Sequence, residues 1–344
     1  MKTFHSVDWE FCCFLLPKVS RTFALNISFL TGDLHKAVLC SYLFCRILDT
    51  IEDSSRLTPA KKIEALNLWA SFFPFQKNWE QLLEKFCTYG AVGEADLTDN
   101  PYETELLRNS KKVFAVFSTL DSSVHDAITP WVIEMAQGMA EYQNRAISGI
   151  PTCLQSLEDL DRYCYFVAGT VGKLLMSLLE IFIPSLSPEK KLILRNNAVS
   201  FGLGLQMTNI LKDIHDDQQR DWCFIPESLM TQAGLTFETF LLSENQEKAN
   251  GILDALIGVA AQHLDHALIY SLAIPRTERR VRLFCLLPLH FAIETLALLK
   301  THKKDTKMKI SRQSVYRTLL FTQSTFFSNT LQARFYKHFR KSIA

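Results

Sequence analysis

Apolar residues recur at intervals of three and four along nearly the whole chain, the period of a helix with one buried side. Leu34, Val38, Tyr42, Ile47 and Ile51 form one such stripe. The same rhythm predicts helices over 63–70, 104–120, 124–147, 160–183, 192–214, 252–269, 281–299 and 315–336. No alternating run bounded by turn pairs occurs, so no sheet is expected. Leu57-Thr58-Pro59 and Leu186-Ser187-Pro188 mark helix starts, whereas Gly149-Ile150-Pro151 and Ile225-Pro226 are expected to end helices. No internal repeat, low-complexity stretch or Pro-Gly-Ser seam divides the chain. The expectation is a single all-α domain over 1–344, built as packed layers or a bundle.

Composition supports long, uninterrupted elements: only 12 Gly and 11 Pro occur in 344 residues, and 48% of the chain is apolar. Lys and Arg number 37 against 36 Asp and Glu, so there is no global field to recruit nucleic acid, and none is expected as a partner. Nine cysteines are scattered singly apart from Cys12-Cys13, without any C-x-x-C, the pattern of free thiols in a reducing compartment. The first ten residues lack a basic segment followed by an apolar one, so no signal peptide is expected. The longest apolar stretch, 283–299, is interrupted by Pro288, His290 and Glu294, which argues against a membrane span. The expected location is the cytoplasm, with peripheral contact at the inner face of a membrane.

Two acidic clusters carry the candidate chemistry. Tyr42, Arg46, Asp49 and Asp53 are spaced by four, three and four, which puts them on one helical face, and this face is expected to point inward. Gln206, Asn209, Asp213 and Asp217 are spaced by three, four and four, again on one face, among Leu203, Leu205, Ile210, Leu211 and Ile214. Carboxylates one turn apart repel unless a cation compensates, and burying them is costly unless they are paired or bound to metal. Two such faces, each beside a cation (Arg46, Lys212), suit a diphosphate clamp in which Mg²⁺ bridges carboxylates to substrate phosphates. Either spacing alone also suits a solvated face with charge pairs one turn apart.

At these residues the chain resembles the squalene/phytoene synthase family. The stretch 42–53 (YLFCRILDTIED) is similar to the family's first aspartate-rich motif and 209–217 (NILKDIHDD) to its second. Between them, 163–172 (YCYFVAGTVG) resembles the family's Tyr-Val-Ala-Gly helix, and the likeness extends from Val19 to about Arg312. The resemblance implies an isoprenoid synthase fold with a central cavity, lying between helices 37–53 and 200–217. It also implies Mg²⁺ and a head-to-head coupling of two farnesyl diphosphates through presqualene diphosphate. Residues 217–219 and the helix at Tyr163-Cys164 are nearer the squalene-forming branch, which implies reduction by NADPH; products formed without reduction (phytoene, dehydrosqualene or presqualene diphosphate) stay open. The metal set so implied is Asp49, Glu52, Asp53, Asn209, Asp213 and Asp217. Ser20, Arg21, Arg46, Gln206, Asn209, Lys212 and Arg220 would bind substrate, and Lys309 and Arg312, at the start of the final helix after the basic run His302-Lys303-Lys304, would hold NADPH. Tyr42 and Tyr163 would steer a carbocation or carry a proton.

Three departures stand out. Trp222 occupies the position, four before Pro226, where the family carries Arg. Lys212 replaces an Arg and so keeps the charge but not the bidentate fork. No C-terminal membrane anchor is seen, which suggests a bacterial-type enzyme. Gly169 and Gly172 are expected at close helix contacts or a kink, and 25 Phe suit an isoprenoid-lined interior as well as an ordinary core. Gly202-Leu203-Gly204 lacks the third glycine of a dinucleotide-binding loop. His263-x-x-His266 is weak as a metal pair. His125-Asp126 and His215-Asp216 leave open a metal phosphohydrolase, and a catalytically silent relative is a third reading, although this chain keeps all the aspartates.

Overall fold

The computed structural model describes residues 6–72, 78–91, 96–145, 152–218, 222–301 and 309–343. Its helices in chain order are α1 (Ser6–Val19), α2 (Arg21–Ile27), α3 (Gly32–Asp53), α4 (Pro59–Phe72), α5 (Trp79–Cys87), α6 (Pro101–Arg108), α7 (Ser110–Phe117) and α8 (Ser122–Gln143). There follow α9 (Leu157–Cys164), α10 (Thr170–Phe182), α11 (Pro188–Gln218), α12 (Glu227–Gln232), α13 (Gln246–Ala273), α14 (Arg279–Thr301), α15 (Arg312–Thr325) and α16 (Asn329–Arg340). The all-α expectation holds. Among the described residues the only strands are β1 (Thr152–Cys153) and β2 (Trp222–Cys223), a two-residue parallel pair that no alternating pattern announced.

Helix starts follow local chemistry. Thr58 Oγ1 accepts the Lys61 amide ahead of α4, and Ser187 Oγ accepts that of Lys190 ahead of α11. Ser20, Asn100, Ser156, Ser311 and Ser328 cap α2, α6, α9, α15 and α16 in the same way. Three expected helices are broken. The 104–120 segment divides at Asn109, whose side-chain amide donates to the Glu105 carbonyl. The 160–183 segment passes through a π-helical turn, Tyr165–Gly169. The 315–336 segment turns at Phe326–Ser328, where Arg282 takes the Phe326 carbonyl. Pro226 does not end a helix: α11 already stops at Gln218, and Pro226 stands at the cap of α12. Gly149-Ile150-Pro151 lies outside the described residues.

Contacts divide the chain into two units: Met1–Ser148 with Lys173–Ser185, and Gly149–Gly172 with Leu186–Ala344. In the first, α3 packs on α7 and α4 on α8 around an aromatic core. Phe44 meets Trp69, Phe114 and Phe117 with ring centroids 5.6, 4.8 and 5.2 Å apart, and Trp69 continues the cluster to Phe72 and Phe86.

In the second unit α11 packs along α13 and against the π-helical turn, and α14 packs on α13, α15 and α16. The crossing of α11 requires glycine. A Cβ at Gly202 would stand 2.1 Å from the Ala168 carbonyl oxygen, and one at Gly172 would stand 2.0 Å from that of Ala198. Here the core is polar at several points. Arg282 is fully buried and donates to the carbonyls of Leu272, Ile274 and Phe326 and to Asn329. His290 and Glu294 are buried against α15, His290 at Thr322 and Glu294 accepting from Thr318 and Arg317.

By length and composition, Leu157–Phe182, Ser243–Ala273 and Arg279–Thr301 are apolar enough to cross a membrane, contrary to the expectation from interrupted runs. In Arg279–Thr301 the interrupting polar groups are spent on partners inside the second unit.

Candidate active site

In the first unit the predicted face on α3 is the helix's one accessible strip through its second half: Tyr42, Arg46 and Asp49 are half-buried and Asp53 is exposed, while every residue between them is buried. A helix apolar nearly all round can leave polar groups open only where no neighbour covers them. Arg46 organises this strip. Its guanidinium donates to the Tyr42 hydroxyl at 3.3 Å and lies 3.7 Å from both Asp49 Oδ2 and Glu103 Oε1. Burial works against the Arg46 charge, but Tyr42 and the carboxylates of Asp49 and Glu103 outweigh it and hold the group well above its ordinary value. Burial pushes the Asp49 carboxyl up to about 7; Arg46 opposes the shift and Asp53 and Glu103 add to it. Crowding of carboxylates with too little compensation is the signature of a place where added positive charge is welcome.

Around this strip, Phe23 of α2 tilts over the Tyr42 ring at 5.0 Å. Ser20 spends its hydroxyl capping α2, and Arg21, the first residue of that helix, is exposed. Glu52 is buried at the strip's edge, and the buried Lys62 donates to its carbonyl. Glu103 was not anticipated from the sequence. It lies fifty residues downstream of the motif, in the first turn of α6, and only tertiary packing brings it to Arg46.

In the second unit the accessible side of α11 carries Gln206, Asn209, Lys212, Asp213 and Asp216. Lys212 Nζ lies 3.0 Å from Asp213 Oδ2 and 3.4 Å from Asn209 Oδ1, so the cation is shared along the face rather than placed opposite it. Asp217, expected on the same face, is buried instead and lines a small pocket with Ile210, Ile214, Trp222 and Phe224. Gln218 closes one side by donating to the Phe237 carbonyl. Asp217 loses its exposure because the chain, after leaving α11, returns through β2 and covers that edge of the helix.

Trp222, at the position where Arg was expected, stacks on Phe224 at 5.7 Å, and Phe224 stacks on the buried Tyr163 at 4.8 Å. The three rings form one column from β2 to α9. Where the resemblance implied a phosphate contact, this protein has aromatic packing.

Lys309 and Arg312 are both exposed at the start of α15, but α15 is not the final helix, since α16 follows it. Arg220 and His302-Lys303-Lys304 lie outside the described residues. Among the described residues no three His, Cys, Asp or Glu side chains gather closely enough for an all-protein metal site. The histidine motifs are used structurally. His125 Nε2 lies 2.8 Å from the Phe117 carbonyl, His266 Nδ1 2.8 Å from Asn197 Oδ1, and His263 faces Asp161 at 3.8 Å.

Residues 16–319 match the family model of squalene/phytoene synthase. The chain is 30% identical over 312 residues to the squalene synthase of Eremothecium gossypii, covering 89% of this chain and 66% of that protein. It is also 30% identical over 289 residues to the squalene synthase of Rattus norvegicus, at 83% and 62% coverage. The chain thus spans roughly three fifths to two thirds of these relatives' length. A ligand complex of TcSQS superposes with a TM-score of 0.80 at 25% identity, over 98% of this chain and 91% of that one. A dehydrosqualene synthase in complex with ligand shares the fold, with a TM-score of 0.61 at 21% identity over 93% and 97%. With a family model matched over most of its length and a helical fold shared with a solved squalene synthase complex, this chain belongs to the squalene/phytoene synthase family and has the isoprenoid synthase fold.

Proposed function

We propose that this chain couples two farnesyl diphosphates head to head, by way of presqualene diphosphate, and reduces the product to squalene with NADPH. The observation that carries the reading is the selective exposure of the first acidic strip: Tyr42, Arg46, Asp49 and Asp53 stay open on a helix buried everywhere else in that region. A strip retained only for solubility has no reason to sit in such a helix.

Mg²⁺ fits the donors present. They are oxygen only, with carboxylates one turn apart in sequence on each helix, and Mg²⁺ keeps several waters and takes one or two carboxylates plus substrate phosphates, so it does not need an all-protein cage. In the first unit Asp49 and Asp53, with Glu52 beside them, would hold metal, and in the second unit Asn209, Asp213 and Asp217 would do so. When bound, the metal supplies neutralisation of the charge that develops on a departing diphosphate. Arg46 and Lys212 orient the diphosphates from within the two strips, with Ser20, Arg21, Gln206 and Arg220 as further contacts. Tyr42 in the first unit, fixed by the Arg46 bond, and Tyr163 in the second, fixed by the ring column, are each suited to keep water from a carbocation and to accept or return a proton at the hydroxyl.

Lys309 and Arg312 fit the phosphates of NADPH in charge: two exposed cations beside the amide end of a 14-residue helix. A hydrocarbon product partitions into a bilayer, so release at a membrane surface belongs to the same reading.

The test is incubation of the purified protein with farnesyl diphosphate and Mg²⁺, with and without NADPH, followed by mass spectrometry. Squalene is expected only when NADPH is present, with presqualene diphosphate accumulating when it is omitted. Asp49→Asn and Asp213→Asn should each lower turnover on the order of 10³-fold with helical content unchanged. Release of phosphate without carbon–carbon coupling would overturn the reading. A dehydrogenated product in the presence of NADPH would overturn the reduction and leave the coupling.

A further inference from the structure

Nine thiols are free, and two of them face each other across the strand pair. Cys153 and Cys223 are register partners in the parallel pairing of β1 with β2. Register partners on neighbouring strands point to the same face, with backbones about 4.8 Å apart, inside the roughly 4.4–6.8 Å Cα window of a disulfide. The register is fixed by backbone bonds beyond the pair. The Leu154 amide donates to the Cys223 carbonyl at 3.2 Å, Glu227 donates to the Leu154 carbonyl at 2.7 Å, and Ser228 donates to Gln155 at 3.1 Å.

The two sulfurs differ in access. Cys153 is half-buried, whereas Cys223 is 6% exposed and lines the pocket that contains Asp217. We propose that Cys153 and Cys223 form an oxidative modification site, in which a low-molecular-weight disulfide converts the thiol pair into an intramolecular disulfide.

The exchange balances in two steps. The Cys153 thiolate attacks one sulfur of the small disulfide and expels a thiolate. Cys223, once deprotonated, then attacks the Cys153 sulfur of the mixed disulfide and expels the second small thiolate. The protein loses two electrons and two protons, and the small disulfide gains them as two thiols. Cys153 is suited to the first attack. The Cys223 thiol, as donor to the Cys153 sulfur, holds Cys153 below the ordinary thiol range, the only downward shift among the nine, and that bond together with burial pushes Cys223 itself up. Burial pushes Cys12, Cys13, Cys40, Cys45, Cys87, Cys164 and Cys285 up. Once formed, the bond ties the strand that leaves α11 to the strand that leads into α9, and so fixes the wall of the pocket beside Asp217.

The full chain, treated with oxidised glutathione, alkylated without reduction and digested, decides the matter. The expected result is one linked peptide pair containing Cys153 and Cys223, with the other seven thiols alkylated. The thermal midpoint should rise by about 5 °C and fall back with dithiothreitol. Cys153→Ser should abolish both changes. Cys223→Ser should stop at a glutathione adduct on Cys153; should that variant fail to fold, Cys223→Ala replaces it, and the wild-type peptide map decides alone. Independent alkylation of both thiols, a persistent glutathione adduct in the wild type, or a linkage among Cys12, Cys13 and Cys40 would each overturn the proposal. None of these readouts depends on which diphosphate the protein uses.

Discussion

The two units carry similar acidic faces on cores of opposite character. In the first, α3 rests on interlocked rings (Phe44, Trp69, Phe72, Phe86, Phe114 and Phe117), and its accessible strip is held by charge through Arg46, Asp49 and Glu103. In the second, α11 rests on backbone-to-backbone contact at Gly172 and Gly202, and buried polar groups (Arg282, His290, Glu294) tie α14 to the C-terminal helices. A dry aromatic core depends on volume and is indifferent to pH. A core with buried ionisable groups depends on their staying paired or neutral. Similar site chemistry is therefore supported by two structures that should fail in different ways.

The largest expected effect is in the aromatic core. Phe44→Ala removes a ring in contact with three others and should cost roughly 3–5 kcal/mol by chemical denaturation. Hydrogen exchange should rise first in α3, α4 and α7. Equal loss of protection in α11 and α13 would mean that the two cores do not act separately.

A smaller loss tests the other core's dependence on close approach. Gly202→Ala adds one methyl group against the Ala168 carbonyl, and a contact of 2.1 Å cannot be kept. The crossing must open, at a cost of about 2–3 kcal/mol. Gly258→Ala, where nothing lies within 4 Å of the added carbon, should be neutral or slightly stabilising by thermal melt. A neutral Gly202→Ala would break the distinction between volume and approach.

Much of this contrast was legible in the sequence, but unevenly. The strip at Tyr42, Arg46, Asp49 and Asp53 follows from spacing alone, because one helix face is a local property. Glu103 could not be read, since its partnership with Arg46 depends on how α6 packs. The second face was only partly legible for a similar reason: Asp217 has the right period but is covered by the returning β2 segment, whose course periodicity does not encode. Trp222 was visible as a departure, yet its ring column with Phe224 and Tyr163 needed three separate elements to meet. The breaks at Asn109 and Phe326–Ser328 escaped because the apolar rhythm runs through them, and side-chain hydrogen bonds decide where the helix stops.

The smallest expected effect concerns pH and belongs to the second unit. Thr322 donates its hydroxyl proton to the Thr318 carbonyl at 2.7 Å, so the bond of 3.1 Å between Thr322 Oγ1 and His290 Nδ1 requires the proton to be on the histidine. The ring is then neutral with Nε2 bare, and among the described residues no acceptor waits at Nε2 for a second proton. Burial accordingly pushes His290 down from its ordinary 6.5 to about 3. A folded value below the unfolded one means that the neutral ring's contribution is fully present above pH 6.5. It is lost as pH falls through 6.5 toward 3, at about 1.4 kcal/mol per pH unit. His290→Gln keeps a donor for Thr322 without the titration, so its denaturation midpoint should fall less steeply with acid. By pH 5 the wild type should have lost about 2 kcal/mol more than the variant, relative to their difference at neutral pH. Segment-resolved exchange should show α14, α15 and α16 opening in acid ahead of α3 and α7. Parallel slopes for the two proteins would place the acid sensitivity elsewhere and remove the polar core as the reason the two units differ.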